Sequence, residues 1–316
     1  MLELRRILLA KPRGFCAGVV RAIETVKRAL SEFPHPVYVH RQIVHNKHVV
    51  EELRRSGAVF VHSVEEVPDG ALIIFSAHGV SPSVRERAMQ KRLRVIDATC
   101  PLVSKVHAEV RKYAKKGYSI VLIGHKGHDE VEGTVGEAPE QTVVVSEPCD
   151  VESINLPNPE KVVYLTQTTL SIDAAKVVVE ALRRRFPHLE APPSWDICYA
   201  TQNRQNAVKL LAQMCDGILV VGSHNSSNAQ RLCEVAIESG TMAFLVEDAG
   251  DIDVAQLEGL SVIGITASAS TPEQIVMGVV ERLRQLSQFE TQVDEVEFAH
   301  EEMRFPLPEP FSNSRV

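Results

Sequence analysis

The sequence predicts an α/β protein built from three similar small α/β domains. Three observations predict it. Apolar, strand-like runs alternate with segments of helical periodicity along most of the chain. Three cysteines, Cys16, Cys100 and Cys198, each stand where such a run gives way to a helix. From each of them to the next strand (at Val37, Ile120 and Ile218) is about 20 residues, the length of one helix and one strand.

The clearest of the three places is Arg94-Val95-Ile96-Asp97-Ala98-Thr99-Cys100-Pro101. Val and Ile favour a strand, and Pro101 suits the first turn of a helix but cannot continue a ladder. Arg6-Ile7-Leu8-Leu9-Ala10 runs into Gly14-Phe15-Cys16 in the same way, and Trp195-Asp196-Ile197 into Cys198. Between them, 17–33 carries apolar residues at helical spacing, 36–39 reads as a strand and 47–56 as a second helix. Ala58-Val59-Phe60-Val61 and Ala71-Leu72-Ile73-Ile74-Phe75 are continuous apolar strands, the pattern of a sheet covered on both faces. Ser81 is the expected N-cap and Pro82 the first residue of a helix running to about Leu93.

Later strands end in polar loops too. Val162-Val163-Tyr164-Leu165 leads to Thr166-Gln167-Thr168-Thr169, and Val262-Ile263-Gly264-Ile265 to Thr266-Ala267-Ser268-Ala269-Ser270. The third unit lacks a closing strand after its last helix, near Leu286, and Arg6–Ala10 can supply it. The repeat then closes on itself as a pseudo-threefold ring, with strand order left open. The expected domains are 17–99, 100–197, and 198–286 plus 1–16, followed by an extended tail, 287–316.

Composition narrows the function. The 316 residues are 44% hydrophobic and 24% charged, ordinary for a globular chain of more than one domain. The net charge of −7 offers no electrostatic footprint for nucleic acid. No run approaches the roughly 20 apolar residues of a membrane span, and the N-terminus does not read as a signal peptide. A cytoplasmic protein is expected, with no nucleic-acid or membrane partner. Six cysteines in a reducing compartment are unlike a disulfide framework.

Ligands of α/β sheets bind beyond the carboxyl ends of the strands, where all three cysteines fall. No Cys-x-x-Cys pair marks a zinc site. Three thiolates from three units suit an iron–sulfur cluster with one iron open to a substrate oxygen, although buried structural cysteine is the commoner use. Cys149, Cys215 and Cys233 lack the strand-end context and read as structural. His45, His78, His125, His128, Thr168, Ser226, Ser227, Asn228 and Ser270 lie in the polar loops, several just before helices, and suit a phosphate or diphosphate. Glu130 is the best-placed proton donor. Glu132 competes, because alternation along an extended segment puts both on one side.

The segments Pro12-Arg13-Gly14-Phe15-Cys16-Ala17-Gly18-Val19, Ile43-Val44-His45-Asn46, Ser76-Ala77-His78-Gly79-Val80-Ser81, Asp97-Ala98-Thr99-Cys100-Pro101, Gly127-His128-Asp129-Glu130-Val131-Glu132-Gly133, Thr166-Gln167-Thr168-Thr169-Leu170-Ser171, Asp196-Ile197-Cys198-Tyr199-Ala200-Thr201 and Asn225-Ser226-Ser227-Asn228 closely resemble the 4-hydroxy-3-methylbut-2-enyl diphosphate reductase family. The resemblance runs from about residue 4 to 285. It implies a trefoil of three α/β domains around one [4Fe–4S] cluster held by Cys16, Cys100 and Cys198. It implies reductive dehydroxylation of an allylic diphosphate to isopentenyl and dimethylallyl diphosphate, with electrons from a donor such as ferredoxin or flavodoxin. It implies that His45, His78, His128, Ser226, Asn228 and Ser270 bind the diphosphate, with Ser227 beside them. Glu130 is then the proton donor, Thr168 positions the substrate hydroxyl and Gln167 lies next to it. Ser268 stands where the family pattern has glycine, which puts the geometry of that loop in question. The alternatives are a non-redox [4Fe–4S] dehydratase, which needs no reductant, and an iron–sulfur sensor, which gives Glu130 and the anion-binding loops no task.

Overall fold

The computed structural model describes residues 1–311. In chain order its elements are β1 (Arg6–Lys11), α1 (Ala17–Glu32), β2 (Val37–His40), α2 (Lys47–Arg55), β3 (Ala58–Val61), β4 (Leu72–Phe75), α3 (Pro82–Gln90), β5 (Arg94–Asp97), α4 (Pro101–Lys115), β6 (Ser119–Ile123) and α5 (Asp129–Val135). There follow β7 (Thr142–Val145), α6 (Asp150–Ser153), β8 (Val162–Thr166), α7 (Ile172–Arg185), α8 (Tyr199–Leu211), β9 (Gly217–Val221), α9 (Ser227–Glu238), β10 (Met242–Val246), β11 (Val262–Ala267), α10 (Glu273–Leu286) and β12 (Gln292–Glu297).

These strands form three parallel sheets, in the orders β3-β2-β4-β5, β7-β6-β8 and β10-β9-β11-β1-β12. One order recurs: an edge strand, the first strand of the unit, its third strand, then the segment that leads to the cysteine. In the first and last sheets that segment is β5, before Cys100, and β1, before Cys16. The N-terminal strand thus joins the last sheet beside β11, pairing Ile7 with Ile263 and Leu9 with Ile265. The chain divides into two compact units. One holds 1–17, 45–49 and 199–303, with the five-stranded sheet. The other holds 18–44, 50–198 and the residues from 304 onward, with the other two sheets.

Both faces of the five-stranded sheet are covered. Ile7, Leu9, Leu219, Ile263 and Ile265 pack under Val276, Val279 and Leu283 of α10. The alternate residues Leu8, Ala10, Ile218 and Val220 meet Val208 and Leu211 of α8 and Leu232 and Val235 of α9. This is the physical reason that central strands read as unbroken apolar runs. Each such side chain contributes about 1.5–3 kcal/mol by leaving water. The β7-β6-β8 sheet is built alike, with α7 on one face and α4 and α5 on the other.

Four expectations are corrected. Trp195-Asp196-Ile197 is not a strand: only a single bridge, Val163 to Glu190, stands where the fourth strand of that sheet would lie. Pro192 and Pro193 have no N–H for a ladder, and the Asp196 carboxylate itself accepts the Thr166 amide at 3.1 Å. Strand β3 is an edge, with Val59 40% exposed, so its apolar run is only partly covered. Helix α3 stops at Gln90, because Arg92 takes a left-handed φ of 53°. Its N-cap is Ser81 as expected, but the Ser81 hydroxyl bonds the Ser83 hydroxyl at 2.8 Å instead of a backbone amide.

The tail is more than an arm. Residues 292–297 form β12, which pairs in parallel with β1 from Arg6 to Lys11. Its outward acids meet basic residues, with Asp294 at 2.6 Å from Arg6 and Glu295 at 2.8 Å from Arg13. Residues 312–316 of the expected tail lie outside the described residues.

The loop after β11 accommodates Ser268 because glycine faces it. A Cβ on Gly222, after β9, would stand 2.9 Å from Ser268 Oγ and 2.8 Å from Ala229 Cβ. Ser268 Oγ meanwhile bonds the hydroxyls of Thr271 (2.9 Å) and Ser270 (3.2 Å). Gly222→Ala is expected to cost about 1–3 kcal/mol by overpacking. Adding Ser268→Gly should recover part of that loss, as read from urea denaturation midpoints.

Candidate active site

Each of the three cysteines hangs from the same backbone hydrogen bond. The Cys100 amide donates to Ala77 O at 3.0 Å, the Cys16 amide to Ala269 O at 3.2 Å and the Cys198 amide to Thr168 O at 3.0 Å. In every case the acceptor lies two residues beyond the end of the adjoining strand, β4, β11 or β8. A parallel ladder thus runs past its strands and delivers a cysteine at the carboxyl end of the sheet. This holds for Cys198 even though no strand precedes it.

A helix begins directly after each: α1 at Ala17, α4 at Pro101 and α8 at Tyr199. The three side chains are half-buried. A helix N-terminus carries partial positive charge. The other cysteines differ. Burial pushes the thiols of Cys215 and Cys233 up to about 12, which keeps them protonated and inert. Cys149 is exposed, before the four-residue α6. Cys16, Cys100 and Cys198 each offer a half-buried thiol directly before a helix, a donor chemistry that suits iron–sulfur ligation; the exposed Cys149 and the inert Cys215 and Cys233 do not.

Glu130 and Glu132, alike in the sequence, are separated by the structure. The segment is the helix α5, not an extended strand, so two residues turn the side chain to another side. Glu130 points inward and is 4% exposed. Its carboxylate accepts the Thr168 amide at 2.7 Å and the Thr168 hydroxyl at 2.9 Å. Burial raises its pKa above the ordinary carboxylate value, and the two Thr168 donors offset this only in part. Glu132 is half-exposed and ion-pairs with Arg41 at 2.8 Å. It lines a cavity of about 110 Å³ with His40, Gly79 and Asp129.

His128 caps α5, its Nδ1 accepting the Glu130 amide at 3.1 Å. That bond places the ring proton of neutral His128 on Nε2. His78 lies edge-on to His128, with ring centroids 5.8 Å apart. Gln167 is buried and already engaged: Oε1 accepts the His125 amide at 3.0 Å and Nε2 donates to Thr169 Oγ1 at 2.9 Å. The His125 side chain is exposed on its loop. The structure therefore groups Glu130, Thr168, His128 and His78, and gives Gln167 a place in holding the loops.

A second group lies in the other compact unit. Ser226 caps α9, accepting the Ala229 amide at 3.3 Å. Ser227 is the first residue of that helix and is half-buried. Asn228 Oδ1 accepts the Ala269 amide at 2.9 Å, while its Nδ2 is buried without a hydrogen-bond partner. A buried, unanswered donor beside a helix N-terminus suits an anionic oxygen. Ser270 donates to the His45 carbonyl at 2.9 Å and so ties the His45 loop to this group.

Several residues that hold these groups carried no sequence signal. His107 on α4 is buried, and its Nδ1 lies 2.7 Å from Glu137, which Arg111 also meets at 2.8 Å. The ring packs under the His78 loop: a Cβ on Gly79, at φ 79°, would stand 3.1 Å from His107 Nε2. Lys105 reaches the buried Asp196 carboxylate at 2.9 Å. Glu109 shares that pocket, and burial followed by the neighbouring Asp196 raises its pKa to about 7. Lys105 and Glu109 are one helical turn apart, a readable hint, but Asp196 is distant in sequence.

The model of the LytB protein family matches residues 7–284. A 4-hydroxy-3-methylbut-2-enyl diphosphate reductase of Acidothermus cellulolyticus is 54% identical over 308 residues, covering 97% of this chain and 90% of that protein. The one of Mycolicibacterium paratuberculosis is 53% identical, covering 98% and 93%. This chain belongs to the LytB family. Its fold matches a solved structure of the E-1-hydroxy-2-methyl-but-2-enyl-4-diphosphate reductase from Plasmodium falciparum, with a TM-score of 0.94, 44% identity and coverage of 98% and 97%. A second solved LytB relative, (E)-4-hydroxy-3-methyl-but-2-enyl diphosphate reductase, terminal enzyme of the non-mevalonate pathway, aligns with a TM-score of 0.63 and 33% identity, covering 89% and 100%.

The state of Glu130 sets a pH dependence in this LytB chain. The ordinary carboxylate pKa is 4.5 and the folded one lies higher. Stability is therefore intact below the unfolded value and is lost as pH rises through the folded one. Glu130→Gln can accept the Thr168 amide through Oε1 yet has no proton to lose. Its melting temperature relative to the unsubstituted protein is expected to climb as pH rises above the ordinary carboxylate range. A constant difference across that rise overturns the assignment.

Proposed function

We propose that this chain carries out the reductive dehydroxylation of (E)-4-hydroxy-3-methylbut-2-enyl diphosphate to isopentenyl and dimethylallyl diphosphate. One observation carries the chemistry. Thr168 joins a buried acid to a cysteine turn: its N–H and hydroxyl donate to Glu130, and its carbonyl accepts from Cys198. A buried acid from α5 and the turn that carries Cys198 are thereby both tied to one residue, Thr168.

We assign Cys16, Cys100 and Cys198 as the ligands of one [4Fe–4S] cluster. When bound, that cluster supplies single electrons and one iron with an open position for a substrate oxygen. The residues of the chain do the rest. The reductive dehydroxylation consumes two electrons and two protons. One proton leaves with the hydroxyl as water, and one goes to either end of the allylic carbon chain to give the two products. Hydroxide alone leaves poorly. Glu130, its pKa raised by burial, protonates the departing oxygen as general acid. Thr168 Oγ1, 2.9 Å from Glu130, orients that oxygen and passes the proton. His45, His78, His128, Ser226, Ser227, Asn228 and Ser270 hold the diphosphate, with the Asn228 Nδ2 donor and the His128 Nε2–H as neutral contacts. Fixing that end converts binding energy into alignment of the reacting end. A low-potential donor such as ferredoxin or flavodoxin, in the cytoplasm, fits the electron demand.

Anaerobic reconstitution followed by iron analysis, spectroscopy and turnover tests the assignment. The protein is expected to hold about four irons per chain and to need a reductant. Glu130→Gln should keep that iron and lose turnover by about 10²–10⁴-fold. A near-normal rate moves the acid role to Glu132 or to water. Cys100→Ser should lose cluster iron, and a full iron complement in that variant breaks the three-ligand assignment.

A further inference from the structure

The C-terminal segment makes two contacts of one kind, each inside one compact unit. The first involves Arg204 on α8, whose side chain is fully buried. Its Nε and Nη2 donate to the carbonyl of Gly14, at 3.2 and 2.7 Å. Gly14 stands two residues before Cys16. The counter-charge comes from the tail: Glu301 lies 3.0 Å from Arg204 Nη1, and Asn203 Nδ2 donates to the same carboxylate at 3.0 Å.

The second involves Arg21 on α1. Its Nη1 donates to the carbonyl of Thr99, the residue before Cys100, at 3.0 Å. Its Nε donates to the tail carbonyl of Pro306 at 2.8 Å. Burial lowers the Arg21 pKa, against which Asp97 and Cys100 act. The tail is anchored beyond this point by Leu307, 6% exposed, and by Phe311, 2% exposed and edge-on to Phe33 at 6.0 Å.

A guanidinium is a rigid fork that can hold two acceptors at once. Here each fork joins an oxygen of the tail to the carbonyl just ahead of a cysteine. A buried guanidinium without its carboxylate is costly, so Arg204 depends on Glu301 to stay where it grips Gly14. Removing that carboxylate also leaves an unbalanced positive charge beside the Cys16 turn. A cation near an iron–sulfur centre favours its reduced, more negative state.

We propose that residues 301–311 are a working part of the cysteine site. Glu301, through Arg204, fixes the backbone that presents Cys16, and Pro306, through Arg21, fixes the backbone that presents Cys100. Glu301, Arg204 and Arg21 are positioning residues. The inference rests on the assignment of those cysteines as cluster ligands.

The test compares the reconstituted full chain with Glu301→Gln, Glu301→Asp and Arg21→Gln. Three quantities are read: the rate of iron loss to a ferrous chelator, the midpoint potential by EPR-monitored titration, and the melting temperature of the apo-protein. Glu301→Gln should lose iron about 10-fold faster or more and shift the midpoint upward. Glu301→Asp, which restores the charge, should return both toward the unsubstituted values. A purely structural role would lower apo stability and leave the potential in place. Arg21 is only half-buried, so Arg21→Gln carries the test if Glu301→Gln gives insoluble protein, again through faster iron loss. Iron loss within about twofold of the unsubstituted protein in both variants, with an unchanged potential, overturns the proposal alone. An unsubstituted protein that takes up no four-iron cluster overturns the cysteine assignment and this proposal with it.

Discussion

The placement of each of the three cysteines depends on the same backbone hydrogen bond, made three times. A cysteine N–H meets the carbonyl two residues beyond a neighbouring strand, at Ala77, Thr168 and Ala269. Parallel pairing supplies this bond, because both strands end on the same side and the ladder can run on past them. A helix then starts at once, so that each cysteine stands at a helix N-terminus. Sheet, cysteine and helix form one unit, and the strand order that produces it recurs in all three sheets. The bond is strong enough to keep its place where the strand is missing, before Cys198, since it needs only one donor and one acceptor.

Charge at the site is governed by burial and a few partners. Burial raises the pKa of Glu130, while two Thr168 donors fix its direction. Arg21 and Arg204, both on helices, meet the cysteine turns at backbone carbonyls, and the Glu301 carboxylate balances Arg204. Such contacts aim side chains without placing further titratable groups among the reacting atoms. The same economy is seen at His128, which caps a helix and has its tautomer set by that cap.

Much of this was legible in the sequence. Continuous β-branched runs marked the central strands, and proline after cysteine marked the Cys100 turn. The equal spacing from cysteine to the next strand revealed the repeat. What failed did so for local reasons. Asp196 and two prolines replaced a strand before Cys198 with side-chain hydrogen bonds. The charged alternation in Gln292–Glu297 hid an edge strand, because edge strands bury little. The choice between Glu130 and Glu132 turned on whether the seven residues Asp129–Val135 coil or extend, and short polar segments do not decide that alone.

The sequence by itself determined the type and order of the elements, the three cysteine turns and the chemical character of the loops. These follow from local propensity and periodicity, which act over a few residues. Tertiary structure alone decided the strand order, the partner of each cysteine amide, the burial of Glu130 and the pairing of Arg204 with Glu301. Each of these joins residues far apart in the chain. Its strength comes from excluding water around both partners, and no stretch of sequence can do that on its own.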